Sequence, residues 1–429
     1  MQLTPEQQAI GRRNFLKALA GTPALGLLGA AAAMKGPVPG GPVRLGIIGV
    51  GGQGRALLNN TDPAFARITA ICDINPDQLT RADQTLVKRN LPPATHYVEW
   101  TDMLEKENLE GVMIGLPLWA HADVTVACLE AGRHVLCEKM MAWDVEGCER
   151  MTRAAATSGR VLEIGYQRRY NGVYQAAYDG IVRKGLLGDV YHVRMVWHRN
   201  GNWRRTGAPP SPEYNPSPWG YPTFEHLLNW RLYWKYSQGL FAELASHQLN
   251  AANWFLGSAP EAVTATGGVH RFNDGREVPD HIYAIWEYPG GRSATYSSIE
   301  SNALEDRYEV FFGTKGTLLV KSENEALLFE EGSAASRETG VQVTSRDLGP
   351  AAESSETRPG NTSGGSASVT PADAPSGARP VATRQQISRF CAAVRVGTPV
   401  ACGPLEAMHS ARACIRANEA IQKKARLTI

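Results

Sequence analysis

Two groups of residues in this chain have types and spacing that could do chemistry. In Gly49-Val50-Gly51-Gly52-Gln53-Gly54, glycines stand at the first, third and sixth places, after an apolar run and before a helical pattern. The first glycine permits a tight turn, the second lets the backbone approach a pyrophosphate, and the third lets helix pack closely on strand. The helix start adds favourable charge for phosphate. Asp73 ends the next apolar run, where a carboxylate can accept hydrogen bonds from ribose hydroxyls and would repel a 2′-phosphate; Ile74, not a cation, follows it. The expected cofactor is therefore NAD rather than NADP, on Gly49, Gly51, Gly52, Gln53, Gly54 and Asp73. The second group centres on Lys139, just beyond the apolar run His134–Cys137. An ammonium partly desolvated there, near a nicotinium charge, would have a lowered pKa suited to exchanging a proton with a substrate hydroxyl.

These residues need elements to position them. Short apolar runs at 44–50, 67–73, 111–116, 134–137 and 161–165 alternate with helical stretches, Asp144 and Gly159 bounding the last helix. That alternation predicts a doubly wound parallel sheet of Rossmann type over 42–165, with Lys139 at its carboxyl edge. Beyond Tyr166 the runs 190–199, 262–270, 281–288, 293–299, 308–312 and 317–320 are joined by shorter segments, the pattern of an α+β domain with an open-faced, largely antiparallel sheet over 166–344. Residues 345–380, rich in Ser, Gly, Pro, Ala and Thr, predict a disordered surface insertion, and helices follow over 381–429. A helical pattern from Phe241 to Phe255 would put Glu243, His247 and Asn250 on one face. Trp197, Trp203, Trp219, Trp230, Tyr233 and Trp234 crowd one stretch; aromatic faces suit sugar C–H surfaces, and Trp203 and Trp230 are the expected substrate contacts.

The N-terminus reads as an address. Arg12-Arg13-Asn14-Phe15-Leu16-Lys17 precedes an apolar, glycine-containing stretch ending at Ala31-Ala32-Ala33, the layout of a twin-arginine export signal over residues 1–33. The apolar stretch is too short and weak to predict a membrane span, so a periplasmic protein without stable membrane insertion is expected.

Composition narrows the function classes. A net charge of +2 with interspersed acids and bases gives no case for nucleic acid as partner. The seven cysteines include no C-x-x-C pair, so buried thiols are expected, and no His, Asp or Glu spacing predicts a metal site.

The blocks Leu116-Pro117-Leu118-Trp119-Ala120-His121, Glu130 to Lys139 (ending Cys137-Glu138-Lys139), Gly165 to Tyr170 and His247 to Gly257 resemble, in this order, the Gfo/Idh/MocA oxidoreductases, which include glucose–fructose oxidoreductase and inositol dehydrogenase. The likeness covers nearly all of the chain between signal and C-terminus except the insertion. It implies a Rossmann domain followed by an open-faced sheet that often mediates dimers or tetramers. It also implies that Lys139 inherits the role of the Glu-Lys-Pro lysine beside the nicotinamide, although Met140 replaces the proline. The family's aspartate four residues before a histidine is Glu243 here, with His247 as the histidine. The resemblance makes Lys139, His247 and Glu243 the expected catalytic residues, His247 on the reacting hydroxyl and Glu243 orienting it. Pro117, His121, Glu138 and Gln167 are expected on the cofactor side, and Arg169, with Lys139 and His247, on the substrate. The implied reaction is oxidation of a secondary hydroxyl of a sugar or sugar derivative. Export with a folded domain would favour a tightly held cofactor. A glycoside hydrolase working by transient oxidation and elimination, and a non-catalytic NAD-holding sugar-binding protein, are the alternatives.

Overall fold

The computed structural model describes residues 3–20, 39–331, 342–344 and 378–429. Most of the insertion expected at 345–380, and the apolar half of the expected signal with its Ala31–Ala33 cleavage site, lie outside these residues.

Six short strands form the first sheet: β1 (Val43–Ile48), β2 (Ala66–Cys72), β3 (Thr95–Tyr97), β4 (Gly111–Ile114), β5 (His134–Cys137) and β6 (Leu162–Ile164). Their order is β3-β2-β1-β4-β5-β6 and every pairing is parallel. Strands buried on both faces read as unbroken apolar runs, which is why the sequence marks them so clearly. β3, with Thr95 and His96 exposed, carries no such run and escapes the pattern. The helix after β2, Pro76–Lys88, starts on Asn75, whose side chain accepts from Asp77 N. The helix Val145–Ser158 starts on Asp144, whose Oδ1 accepts from Gly147 N at 2.7 Å, and stops at Gly159 with φ +64°. The chain reverses its winding between β1 and β4, so the crevice beyond their carboxyl ends is where ligands of such sheets bind.

The second sheet has nine strands: β7 (Val190–Asn200), β8 (Ala262–Gly268), β9 (His281–Tyr288), β10 (Arg292–Ile299), β11 (Ser301–Gly313), β12 (Gly316–Lys321), β13 (Glu325–Glu330), β14 (Gln342–Thr344) and β15 (Leu427–Thr428). The order is β14-β13-β12-β11-β7-β10-β9-β8-β15, antiparallel except for the parallel pair β7 and β10. Alternation decides what each face meets. Along β9, Ile282, Ala284, Trp286 and Tyr288 are buried, while Tyr283 and Ile285 are exposed on the opposite face. The buried face packs against the helices Ser246–Leu256 and Pro404–Lys423.

The C-terminal helices do not form a unit of their own. Ile387, Phe390 and Cys391 of Ala378–Val396 complete the core of the first sheet beside Leu57 and Leu58, whereas Ala411, Cys414 and Ile415 of Pro404–Lys423 join the second core. All seven cysteines are buried and free. The N-terminal segment Pro5–Ala20 is a helix; Phe15 is fully buried in the main core, and Lys184 Nζ donates to Ala18 O at 2.8 Å. Among the described residues no helix is long and apolar enough to cross a membrane.

Candidate active site

The glycine turn leaves β1 at the switch point. Gly49 has φ +83°, and a Cβ there would lie 2.9 Å from the Gly115 backbone after β4. Gly54 sits closer still: a Cβ would fall 1.9 Å from Gly49 O. Gly51 and Gly52 face open space, with nothing within 4 Å of an added Cβ. Gly51 caps the helix Gly52–Asn60 with no side-chain bond, leaving the first-turn amides available to an anion. Asp73 fixes this turn, its Oδ2 accepting from Val50 N and its Oδ1 from Asn75 N, both at 2.9 Å. Burial pushes its carboxyl up to about 6, against the opposing pull of those two amides and Arg55. A closed turn, open glycines, free amides and a carboxylate one strand over fit a dinucleotide.

Gln53, the turn's one long polar side chain, donates through Nε2 to Glu138 Oε1 at 2.8 Å, tying the glycine turn to the end of β5. Glu138 in turn accepts from Lys139 N at 3.3 Å through Oε2, and burial raises its pKa. The Lys139–Met140 peptide bond is cis. Pro117 follows β4 at the same carboxyl edge and caps the short turn Leu118–Ala120.

Lys139 points into the second domain. Its Nζ donates to Glu243 O at 2.9 Å and Ala242 O at 3.4 Å, and lies 3.7 Å from Glu243 Oε2. Burial lowers its pKa, while Glu243 and Glu138 pull the other way. Glu243 also accepts from Arg231 Nε at 3.0 Å, and these two cations outweigh burial to hold its carboxyl below the usual range. The expected helix from Phe241 begins as a π-helical turn, Phe241–Ala245, before the regular helix Ser246–Leu256. Glu243 therefore holds Lys139 and Arg231, the two cations its carboxylate meets. π-turns recur at functional sites because they re-aim a side chain.

His247 is 4 % exposed, with Tyr166 edge-on at 6.1 Å and Trp197 tilted at 6.3 Å, and its Nδ1 has no hydrogen-bond partner among the described residues. Burial, then the charges of Lys139, Arg168, Arg379 and Arg307, drives its pKa well below the ordinary value, so the ring is neutral at pH 7.

Three expected contacts belong to the scaffold instead. His121 is 1 % exposed, its Nδ1 2.9 Å from Met140 O and its Nε2 3.0 Å from Leu116 O; burial lowers its pKa, and the neutral ring donates through one nitrogen to one of these two carbonyls. It braces the turn after Lys139. Arg169 donates to Asn250 Oδ1 at 2.8 Å and Ala401 O at 3.1 Å and lies over the Trp254 ring, which ties it to the C-terminal segment. Asn250 Nδ2 donates to Ser410 Oγ at 3.0 Å and, more weakly, to Glu406 O and Cys402 Sγ, so it too is structural. Gln167 is buried; its Nε2 donates to Gly165 O at 2.9 Å and its Oε1 accepts from Arg379 Nε at 3.1 Å.

The aromatic stretch mostly builds an arm across the cleft. Tyr214 OH donates to Ile74 O at 3.1 Å beside Asp73, and Trp219 Nε1 to Glu99 Oε1 at 2.9 Å. Trp119 Nε1 donates to Tyr221 OH at 2.8 Å, and Trp143 Nε1 to Trp234 O at 2.8 Å. The expected sugar-stacking faces of Trp203 and Trp230 are each covered on one side, by the guanidinium of Arg199 at 4.1 Å and of Arg231 at 4.2 Å. Arg231 and Arg379 were not legible as site residues, since an isolated arginine carries no pattern. No group of three or more metal-ligating side chains occurs among the described residues.

Comparisons with known proteins bear on the family and the fold. Residues 43–166 match the family described as "Oxidoreductase family, NAD-binding Rossmann fold", and residues 176–319 match the GFO/IDH/MocA C-terminal domain. Over 161 residues the chain is 30 % identical to an inositol 2-dehydrogenase/D-chiro-inositol 3-dehydrogenase of Shouchella clausii, covering 37 % of this chain and 45 % of that protein. It is 23 % identical to a myo-inositol 2-dehydrogenase of Thermotoga maritima over 69 % of this chain and 81 % of that one. The chain thus spans less than half of the Shouchella relative's length. Levoglucosan dehydrogenase, solved with NADH and levoglucosan, shares the fold at TM-score 0.68 and 17 % identity, over 90 % of this chain and 99 % of that one. An aldose-aldose oxidoreductase from Caulobacter crescentus, solved with glycerol, does so at TM-score 0.64 and 20 % identity, over 90 % and 100 %. With one family's two domain signatures matched in sequence on a Rossmann sheet and an open nine-stranded sheet, the chain belongs to the Gfo/Idh/MocA oxidoreductases.

Proposed function

We propose that this protein oxidises a secondary hydroxyl of a sugar or sugar derivative, with NAD as a tightly held acceptor. The observation that carries the reading is Lys139: an amine on a side chain only 9 % exposed, paired with Glu243 across the domain boundary, at the carboxyl edge of β5 and beside a site that fits a dinucleotide. The names of the inositol and levoglucosan dehydrogenases support the substrate class.

When bound, the dinucleotide supplies the acceptor for the hydrogen on the carbinol carbon. Gly51, Gly52 and the helix start hold its phosphates, and Asp73 its adenosine ribose. Lys139, whose proton burial makes easier to lose, accepts the hydroxyl proton in its neutral form; Glu243 stabilises the ammonium that results and Arg231 keeps that carboxylate ionised. His247, neutral and with an unpartnered Nδ1, hydrogen-bonds the substrate oxygen. The arm through Tyr214, Trp219 and Tyr221 covers the cleft, excludes water and slows dissociation of the dinucleotide. The open sheet face suits homo-oligomers. Export through a twin-arginine signal explains why a retained cofactor would be useful, since free NAD is not expected outside the cytoplasm.

The test has two parts. Purified protein is denatured and its supernatant assayed for NAD(H); native protein is then turned over on a panel of sugars and inositols without added cofactor, beside Lys139→Ala. Released NAD(H) with Lys139-dependent product formation is expected. Protein that purifies empty and works only with added NAD would remove the resident-cofactor claim, and turnover unchanged in Lys139→Ala would remove the mechanism. Sequencing the N-terminus of protein from the periplasm should begin after Ala33; protein confined to the cytoplasm contradicts export.

A further inference from the structure

The aromatic arm touches the first domain at the loops that follow four of its strands. Tyr214 OH donates to Ile74 O at 3.1 Å after β2, and Trp219 Nε1 to Glu99 Oε1 at 2.9 Å after β3. Tyr221 OH accepts from Trp119 Nε1 at 2.8 Å after β4, and Trp234 O accepts from Trp143 Nε1 at 2.8 Å after β5. In the sheet order β3-β2-β1-β4-β5, these contacts stand two on either side of β1. Gly51 and Gly52, on the turn that leaves β1, keep open space around them. The arm thus spans the carboxyl edge of the sheet, over the place where such sheets hold their ligands.

Arg231 belongs to the same piece of chain, which is braced by its own bonds. Tyr221 and Tyr236 are buried with their rings 4.8 Å apart, and Tyr236 OH donates to Gly220 O at 2.8 Å. Asn229 N donates to Glu225 O at 2.8 Å, and Leu232 N to Asn229 O at 2.9 Å. From this frame Arg231 Nε reaches Glu243 Oε2 at 3.0 Å, the same carboxylate that faces Lys139. A segment tied within itself in this way transmits displacement from one end to the other. Lifting it from Ile74 and Glu99 pulls on the bond between Arg231 and Glu243.

We propose that Tyr214 and Trp219 are the latches of a strap that must lift for the dinucleotide to enter or leave, and that Arg231, through Glu243, is its third latch. Cofactor exchange and the ion pairing at Lys139 are then one event. The inference rests on the reading of the cleft as an NAD site and deepens it by naming what governs exchange there. The three latches are unequal. Trp219 meets Glu99 at an exposed edge, whereas Arg231 and Glu243 are 22 % and 10 % exposed and both charged. Charge-assisted bonds are about twice as strong as neutral ones, so Arg231 is the stronger hold. A strap also leaves a kinetic mark. Closed, it slows entry as well as release, whereas a side chain that only touches the dinucleotide slows release alone.

Both rates can be followed by NADH fluorescence with stopped-flow mixing. Entry is read by mixing NADH with cofactor-free full-length protein, and release by chasing NADH-loaded protein with excess NAD. Tyr214→Phe and Trp219→Phe should each raise both rates about threefold or more, the worth of one hydrogen bond. Glu99→Ala, which cuts the Trp219 bond from its exposed side, should match Trp219→Phe. Arg231→Gln should raise both rates about tenfold or more. Unchanged rates in the Tyr214 and Trp219 variants, faster release without faster entry, or wild-type exchange in Arg231→Gln would each overturn the inference. Protein that binds no NADH in any form would overturn the NAD reading along with it. NADH exchange indifferent to the latches, beside Lys139-dependent turnover, would defeat the strap alone and leave that reading standing.

Discussion

Lys139 and Glu243 are 104 residues apart in the chain, yet Lys139 Nζ donates to the main-chain carbonyl of Glu243 at 2.9 Å and lies 3.7 Å from its carboxylate. This contact joins the two domains at the site, with side chains only 9 % and 10 % exposed. It makes the lysine's proton affinity a balance: burial lowers it, Glu243 raises it.

Replacing Lys139 by Met should lower kcat by about a thousandfold, the usual worth of a positioned base. NADH affinity should be nearly unchanged. Arg is not expected to rescue, because a guanidinium keeps its proton. In the wild type, kcat/KM should rise with pH as Lys139 loses its proton, with the inflection below the ordinary lysine value of 10.5. Steady-state kinetics with a fluorescence titration of NADH check both.

Glu243→Gln gives a signed pH test. Glu243 favours the protonated lysine, so its neutral replacement should move the acid limb of the kcat/KM profile to lower pH, by about one unit. Maximal kcat should fall, since the ammonium formed in turnover loses its counter-charge. An acid limb that stays in place or moves up would show that the carboxylate does not act through Lys139.

The glycines make a paired prediction. Gly54→Ala puts a methyl 1.9 Å from Gly49 O and should cost about 2–3 kcal/mol, seen as a lowered Tm. Gly51→Ala meets nothing within 4 Å and should leave stability within about 0.5 kcal/mol of wild type. It should still weaken NADH binding by tenfold or more, on the order of 1.4 kcal/mol, because its methyl would stand where the pyrophosphate approaches. Thermal melts and NADH titration separate the two effects.

Asp73 should make dinucleotide binding pH-dependent. Its carboxyl is raised to about 6, and ribose hydroxyls favour the ionised form, so binding below that pH requires loss of a proton. Affinity for NADH should strengthen up to about tenfold per unit as pH rises to about 6 and then level off. In ligand-free protein the raised value means that stability is greatest below the unfolded pKa and is lost as pH rises through about 6. The gain in Tm from added NADH should accordingly be larger above pH 6 than below it. Calorimetric titration across this range, with Asp73→Asn as the flat control, tests it.

The sequence by itself determined the first domain and its cradle. Parallel strands buried on both faces must be apolar runs, and a turn that closes onto Gly115 while presenting bare backbone to a phosphate must be glycine at fixed places. Lys139 was legible for the same reason, since its place at a strand's carboxyl edge is a local property. Tertiary structure alone decided the partnerships across the domain boundary. Glu243 turned to Lys139 and Arg231 because a π-turn re-aimed it, which no period-counting can show. Arg169 is tied to the scaffold by the carbonyl of Ala401, 232 residues along the chain. The tryptophans and tyrosines of the arm were legible only as aromatic, while their hydrogen bonds to Ile74 and Glu99 exist only in the folded chain. Local chemistry is written in residue type and spacing, whereas charge balance exists only once distant side chains are brought within a few ångströms of each other.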